Sequence, residues 1–193
     1  MNIERKTIKN DEEYLRKVSA RVFEDDPIDE YIKMLKEFCK ESECYALAAN
    51  QIGIQKRIIY LKNNTQDIPL ENINYDEEKI IINPLVLSKK GKTKYWEPCL
   101  SCLDITGLVT RPHEIELLYF DQYGNEHIET FTGYPATILS HELDHLDGVL
   151  HIDIAEEIKN MKNMKKEERI EFRKLHPYEI ISKEEPAKKI VKR

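Results

Sequence analysis

His141-Glu142-Leu143-Asp144-His145 sets two imidazoles four residues apart with a carboxylate between them. On a helix such residues share a face, so both rings reach one metal ion. Glu142, one step along from His141, then stands beside the ion without ligating it, where its carboxylate can take a proton from a metal-bound water and later return it. The same short pattern also arises by chance on exposed helices, so a third ligand is needed. Catalytic sites of this kind use three protein groups and leave one coordination position open. Asp147 is too close on the helix to complete the set easily, and Asp153, Glu156 and Glu157 offer nothing distinctive. Upstream, Cys99 sits in Trp96-Glu97-Pro98-Cys99-Leu100-Ser101, directly after an inferred strand. A thiolate with two imidazoles suits zinc or ferrous iron.

The elements that must position these residues follow from periodicity. Asp26-Pro27 predicts a helix start, with Asp26 as cap and Pro27 at the first helical position, and Ile28, Tyr31, Ile32, Leu35, Phe38 and Cys39 follow at helical spacing. Segments 57–61, 79–87 and 114–121, rich in Ile, Tyr and Val, read as strands. Gln122-Tyr123-Gly124-Asn125 predicts the turn of an antiparallel hairpin. A second helix begins near Tyr134-Pro135, carries Ile138, His141, Leu143, His145 and Leu146, and stops at Gly148. From about Lys159 onward charge dominates, which predicts an exposed helix or a fraying end. The fold class is α+β: antiparallel strands packed around a central helix carrying the H-E-x-x-H segment, with an N-terminal amphipathic helix and a C-terminal charged helix or tail. Residues 1–176 are expected to make a single catalytic metallohydrolase domain, and 177–193 a flexible tail.

Composition narrows the function classes. The 193 residues are 34% charged and 40% hydrophobic, ordinary for a soluble globular chain. A formal charge of −6 argues against direct nucleic-acid binding, which usually carries a net basic footprint. No apolar run approaches a membrane span, and the N-terminus has neither the apolar core of a signal peptide nor the acid-poor composition of a transit peptide, so a cytoplasmic location is expected. In a reducing cytosol Cys39, Cys44, Cys99 and Cys102 are better read as core residues, ligands or nucleophiles than as disulfides.

Three motifs in order give the chain a resemblance to the peptide deformylase family, whose signatures are G-x-G-L-A-A-x-Q, E-G-C-L-S and H-E-x-D-H. Here they stand as Cys44-Tyr45-Ala46-Leu47-Ala48-Ala49-Asn50-Gln51, Glu97-Pro98-Cys99-Leu100-Ser101 and the intact His141-Glu142-Leu143-Asp144-His145. The resemblance runs roughly from Leu15 to Leu150. It implies hydrolysis of the formyl group from N-formylmethionyl peptides of nascent proteins, with release of formate. By this resemblance Cys99, His141 and His145 hold the metal, Glu142 is the general acid/base, and the Gln51 amide with the Leu100 backbone N–H stabilises the oxyanion, as neutral preorganised donors do. It further implies that Tyr45, Ala46 and Pro98 line the substrate groove, that Ile138 helps form the methionine pocket, and that Glu97 and Arg111 form a buried pair holding the Cys99 loop. The implied cofactor is one divalent ion, Fe2+ in most of the family, with Zn2+, Ni2+ or Co2+ able to occupy the same ligands. The implied partners are the formylated peptide or nascent chain and the ribosome, without a membrane.

The family glycines are replaced by Cys44, Ala46 and Pro98, so the groove is altered while the ligand set is complete. Ala46 would be strained if its position needs positive φ, and Pro98 fixes φ and removes an N–H. A divergent deformylase with changed substrate preference or speed is the expectation. Two alternatives stay open on the residues alone: an H-E-x-x-H metallopeptidase, and a noncatalytic metal- or peptide-binding protein. Cys102 makes a C-x-x-C with Cys99, which raises a redox or structural-zinc reading, but its separation from His141 matches no zinc finger. His113, His127, His151 and His176 are read as satisfied or solvated imidazoles rather than ligands.

Overall fold

The computed structural model describes residues 3–42, 44–62 and 78–183. A short helix α1 (Glu12–Leu15) precedes α2 (Ile28–Glu41), whose Ile32, Leu35, Phe38 and Cys39 recur on one face and are buried. Pro27 precedes the first turn of α2 instead of lying in it, and Asp26 does not cap the helix. Its carboxylate accepts the Phe23 N–H at 2.8 Å and the Lys56 ammonium at 2.6 Å. A charged donor is the stronger partner, and it turns the side chain away from the helix end.

Strand β1 (Ala46–Ala48) runs into a 3-10 turn (Ala49–Ile52). There follow β2 (Ile58–Leu61), β3 (Lys79–Lys90), β4 (Lys92–Pro98), β5 (Ile105–Arg111), β6 (Glu114–Phe120) and β7 (Glu126–Thr132). Helix α3 (Tyr134–Leu146), the single turn α4 (His151–Ile154), β8 (Glu157–Asn160), α5 (Lys166–Leu175) and β9 (Glu179–Ser182) complete the order. Among the described residues the strands form two antiparallel sheets, one ordered β1-β2-β3-β6-β7 and the other β8-β5-β4-β9. The architecture is α+β, and no helix among the described residues is long and apolar enough to cross a membrane.

Helix α3 buries Leu139, Leu143 and Leu146 in a cluster with Ile59, Ile81, Ile115, Leu117 and Phe131 of the larger sheet. Positions three and four apart keep that stripe on one side of the helix, which leaves His141 and His145 to face the smaller sheet. Beyond α3 the chain reverses at Gly148, whose φ is +73°. A Cβ there would meet the Arg16 carbonyl, so glycine is required on both steric and conformational grounds. Leu139 is fully buried, and Leu139→Ala is expected to destabilise the protein by about 2–5 kcal/mol. The check is the denaturant midpoint at unchanged slope.

The C-terminal expectation needs correction in part. Residues 179–182, expected to be loose, pair with β4 as strand β9, and Tyr178 packs against Tyr95 and Tyr134 with ring centroids 6.0 and 5.6 Å away. Edge pairing supplies the backbone partners and tyrosine rings the apolar area that the sequence pattern concealed. Residues 184–193 lie outside the described residues.

Candidate active site

Side chains two apart on a strand share a face, so β4 points Thr93, Tyr95 and Glu97 to one side, and Cys99 follows on the same side just past its end. The loop from Cys99 to Asp104 turns back into β5, with the Cys102 N–H donating to the Cys99 carbonyl at 3.2 Å. Ser101 anchors it twice: its carbonyl accepts the Ile8 N–H at 2.9 Å, and its Oγ accepts from Gln51 Nε2 at 3.2 Å. Helix α3 is held against this loop by Asn50, whose Nδ2 donates to the His145 carbonyl at 2.6 Å.

These constraints bring the Cys99 sulfur to 3.2 Å from His145 Nε2. One ligand atom each from Cys99, His141 and His145 lies within 4.8 Å of the others, and all three residues are buried. A soft sulfur and two imidazole nitrogens converging in this way fit one borderline divalent ion. His141 presents its other face to Glu97, at 2.8 Å between Nδ1 and Oε2. Glu97 also accepts from Arg111 Nε at 2.8 Å and from Nη2 at 2.9 Å, and Arg111 reaches on to Asp144 of the helix. Glu97 and Arg111 are 3% and 5% exposed, so this is an interior network and not a surface pair.

Electrostatics follow from burial and these partners. Burial would push the Glu97 carboxyl up, but Arg111 and His141 overcome it and hold it at about 2. As an ionised acceptor, Glu97 requires His141 Nδ1 to carry the proton, which turns Nε2 toward the sulfur. Burial likewise opposes ionisation of Cys99, yet hydrogen bonding from Cys102 and the two imidazoles holds its thiol well below the ordinary range. Burial dominates at Glu142 and raises its carboxyl.

The Glu97 value carries a pH consequence. A carboxylate at about 2 when folded and 4.5 when unfolded contributes its full stabilisation above pH 4.5 and loses it as pH falls toward 2. The expected loss is on the order of 3 kcal/mol. Unfolding free energies at pH 6 and pH 3 should therefore differ more in the wild type than in Glu97→Gln; equal differences would contradict the assignment.

A cleft of about 420 Å³ opens over this cluster. Tyr45, Ala46, Pro98, Leu100 and Ile138 line it, with Gln51, Cys99, His141 and Glu142 on its floor, while His145 lies behind them at 1% exposure. Every candidate named from the sequence thus gathers at one place. Ala46 lies in β1 opposite Leu61 and does not have positive φ, so replacement of that family glycine brings no backbone strain here. A larger cleft of about 720 Å³ beside Val22, Phe23 and Gly124 holds none of the cysteines or histidines.

The sequence reading missed several partners. The Ala48 N–H donates to Glu142 Oε2 at 2.8 Å and to Gln51 Oε1 at 3.0 Å, tying both side chains to β1. A backbone donor leaves no mark in residue type. The Glu97–His141 contact was legible in principle, because strand alternation puts Glu97 on the side of Cys99. Tyr95 of β4, Tyr134 of α3 and, from an element outside the three motifs, Arg173 of α5 add to the cleft wall.

Comparison with known proteins agrees with this geometry. The family model for polypeptide deformylase matches residues 5–161. A peptide deformylase of Prosthecochloris aestuarii is 33% identical over 170 residues, 88% of this chain and 89% of its own length. A probable peptide deformylase from Synechococcus phage S-SSM7 superposes with a TM-score of 0.68 at 31% identity, covering 79% of this chain and 99% of that one. The Synechococcus elongatus peptide deformylase, solved in complex with actinonin, gives 0.69 at 29% identity over 80% of this chain and 81% of that one. With a family match that spans both halves of the Cys/His cluster, and a relative aligned along nearly the whole chain, this protein belongs to the polypeptide deformylase family.

Proposed function

We propose that the protein hydrolyses the formyl group from N-formylmethionyl peptides, releasing formate and a free amino terminus, and that its substrate is the nascent chain in the cytoplasm. The observation that carries this reading is the convergence of Cys99, His141 and His145 on the floor of a peptide-sized cleft, with Glu142 beside them. The ligands would be those three side chains, and Fe2+ is the ion expected, with Zn2+, Ni2+ or Co2+ as substitutes. Bound there, the ion supplies Lewis acidity, polarising the carbonyl and easing deprotonation of the attacking water.

The remaining work falls to the chain. Glu142, whose carboxyl burial raises from its ordinary value, takes a proton from the attacking water and passes it to the leaving amine. The Ala48 N–H holds that carboxylate in place. Gln51 has its oxygen fixed by the same N–H, and its Nε2, which donates one hydrogen to Ser101 Oγ, keeps a second hydrogen for the reacting carbonyl, where negative charge develops; the Leu100 N–H is the second donor. Glu97 keeps His141 in the tautomer that offers Nε2. Tyr45, Ala46 and Pro98 hold the peptide backbone, and Ile138 meets the methionine side chain.

The test compares N-formyl and N-acetyl methionyl peptides. Formate release from the first and little turnover of the second is the expected result, since a site suited to the formyl group should reject the larger acetyl group. Equal cleavage of both, or cleavage at internal peptide bonds, would defeat the reading.

A further inference from the structure

His151 is the histidine outside the deformylase reading with both ring nitrogens buried and unpartnered among the described residues. It begins α4 and is 1% exposed. An imidazole buried with neither nitrogen paired is destabilising, so the position calls for something to bind. It is neither the satisfied nor the solvated imidazole expected from the sequence.

Two sulfurs face it. One ligand atom of His151 and the Sγ atoms of Cys99 and Cys102 all lie within 4.8 Å of one another, and all three residues are buried. Cys102 is fully buried, and the C-x-x-C turn, closed by the Cys102 N–H on the Cys99 carbonyl, points both thiols to one side. The surroundings keep the ring where it is. A Cβ on Gly107 of β5 would come within 3.0 Å of His151 Cδ2 and 2.8 Å of the Ala155 Cβ, so the absence of a side chain at 107 makes room for this imidazole. The His141 ring lies on the other side, 5.6 Å away between centroids.

We propose that Cys99, Cys102 and His151 form a second metal site, for a borderline or soft divalent cation of the zinc type, which shares the Cys99 sulfur with the first. A thiolate has lone pairs enough to bridge two cations. Because Cys99 is shared, the second ion would draw on one further thiolate, Cys102, and on a neutral imidazole, the donor types of structural zinc chemistry, with the fourth position left to the ligands of the neighbouring ion or to water. The ion would satisfy one of the two His151 nitrogens and would tie α4 to the Cys99 loop. The two sites are adjacent and distinct, because only Cys99 belongs to both donor sets.

The experiment is a titration of reduced, metal-free protein with Co2+ under anaerobic conditions, read by bound metal per chain and by the sulfur-to-cobalt charge-transfer band. Wild type is expected to bind two equivalents. Cys102→Ser and His151→Phe should each bind one, with Cys102→Ser losing part of the charge-transfer intensity. His145→Ala should lose the other equivalent and keep the one that depends on Cys102. A wild type that binds a single equivalent overturns the proposal without recourse to any variant. Two equivalents persisting in both Cys102→Ser and His151→Phe overturn it as well. Failure of the first site would show separately, as indifference to His145→Ala.

Discussion

Glu142→Gln is expected to lower kcat for a formylmethionyl peptide by about 10²- to 10⁴-fold, the range general acid/base catalysis contributes, while metal content stays at the wild-type level. The substitution preserves shape, and the glutamine carbonyl can still accept the Ala48 N–H that Glu142 accepts now at 2.8 Å. What it removes is a group able to hold a proton between attack of water and departure of the amine. KM should change little, because the carboxylate stands on the floor and the peptide is bound by the walls. Formate release and metal analysis on the same preparation check both halves. A variant with full activity would show that the proton is handled elsewhere, and one that lost its metal would make Glu142 a ligand.

Arg111→Met should destabilise the fold by about 3–5 kcal/mol, because it leaves the buried Glu97 carboxylate without its principal counter-charge. The guanidinium also joins Asp144 on α3, so the loss severs β5 from the helix that carries both imidazoles. Adding Glu97→Leu in the same chain should recover much of the stability, since well-packed apolar replacements of a buried pair are often nearly neutral. It should not recover the metal site. Without Glu97 at its Nδ1, His141 loses the partner that sets its tautomer, and metal affinity is expected to fall about 10- to 100-fold. Unfolding midpoints and metal competition by a chelator separate the two effects. A single variant that costs under 1 kcal/mol would mean that the pair behaves as an exposed one.

What the sequence determined by itself is what depends on neighbours along the chain. The four-residue spacing of His141 and His145 specifies a shared helix face wherever that helix packs, and the apolar stripe Leu139, Leu143 and Leu146 specifies the opposite face. Enrichment in Ile, Tyr and Val over 79–87 and 114–121 announced β3 and β6, and the turn at 122–125 the hairpin that joins β6 to β7. The order of the three motifs was enough to name the family.

Tertiary structure decided what depends on closure across the chain. The Cys99 sulfur meets a nitrogen 46 residues away only because the loop between β4 and β5 is pinned by Ser101 and the helix by Asn50. Strand β9 became ordered because an open edge of β4 and the Tyr95–Tyr134 pair were there to receive it. His151 went from an unremarkable residue after the helix to a buried imidazole beside two sulfurs because Gly148 reverses the chain and Gly107 leaves room for the ring. Local periodicity is written by backbone geometry over a few residues. Proximity between distant residues is the sum of many weak contacts over the whole fold, and no short stretch of sequence contains it.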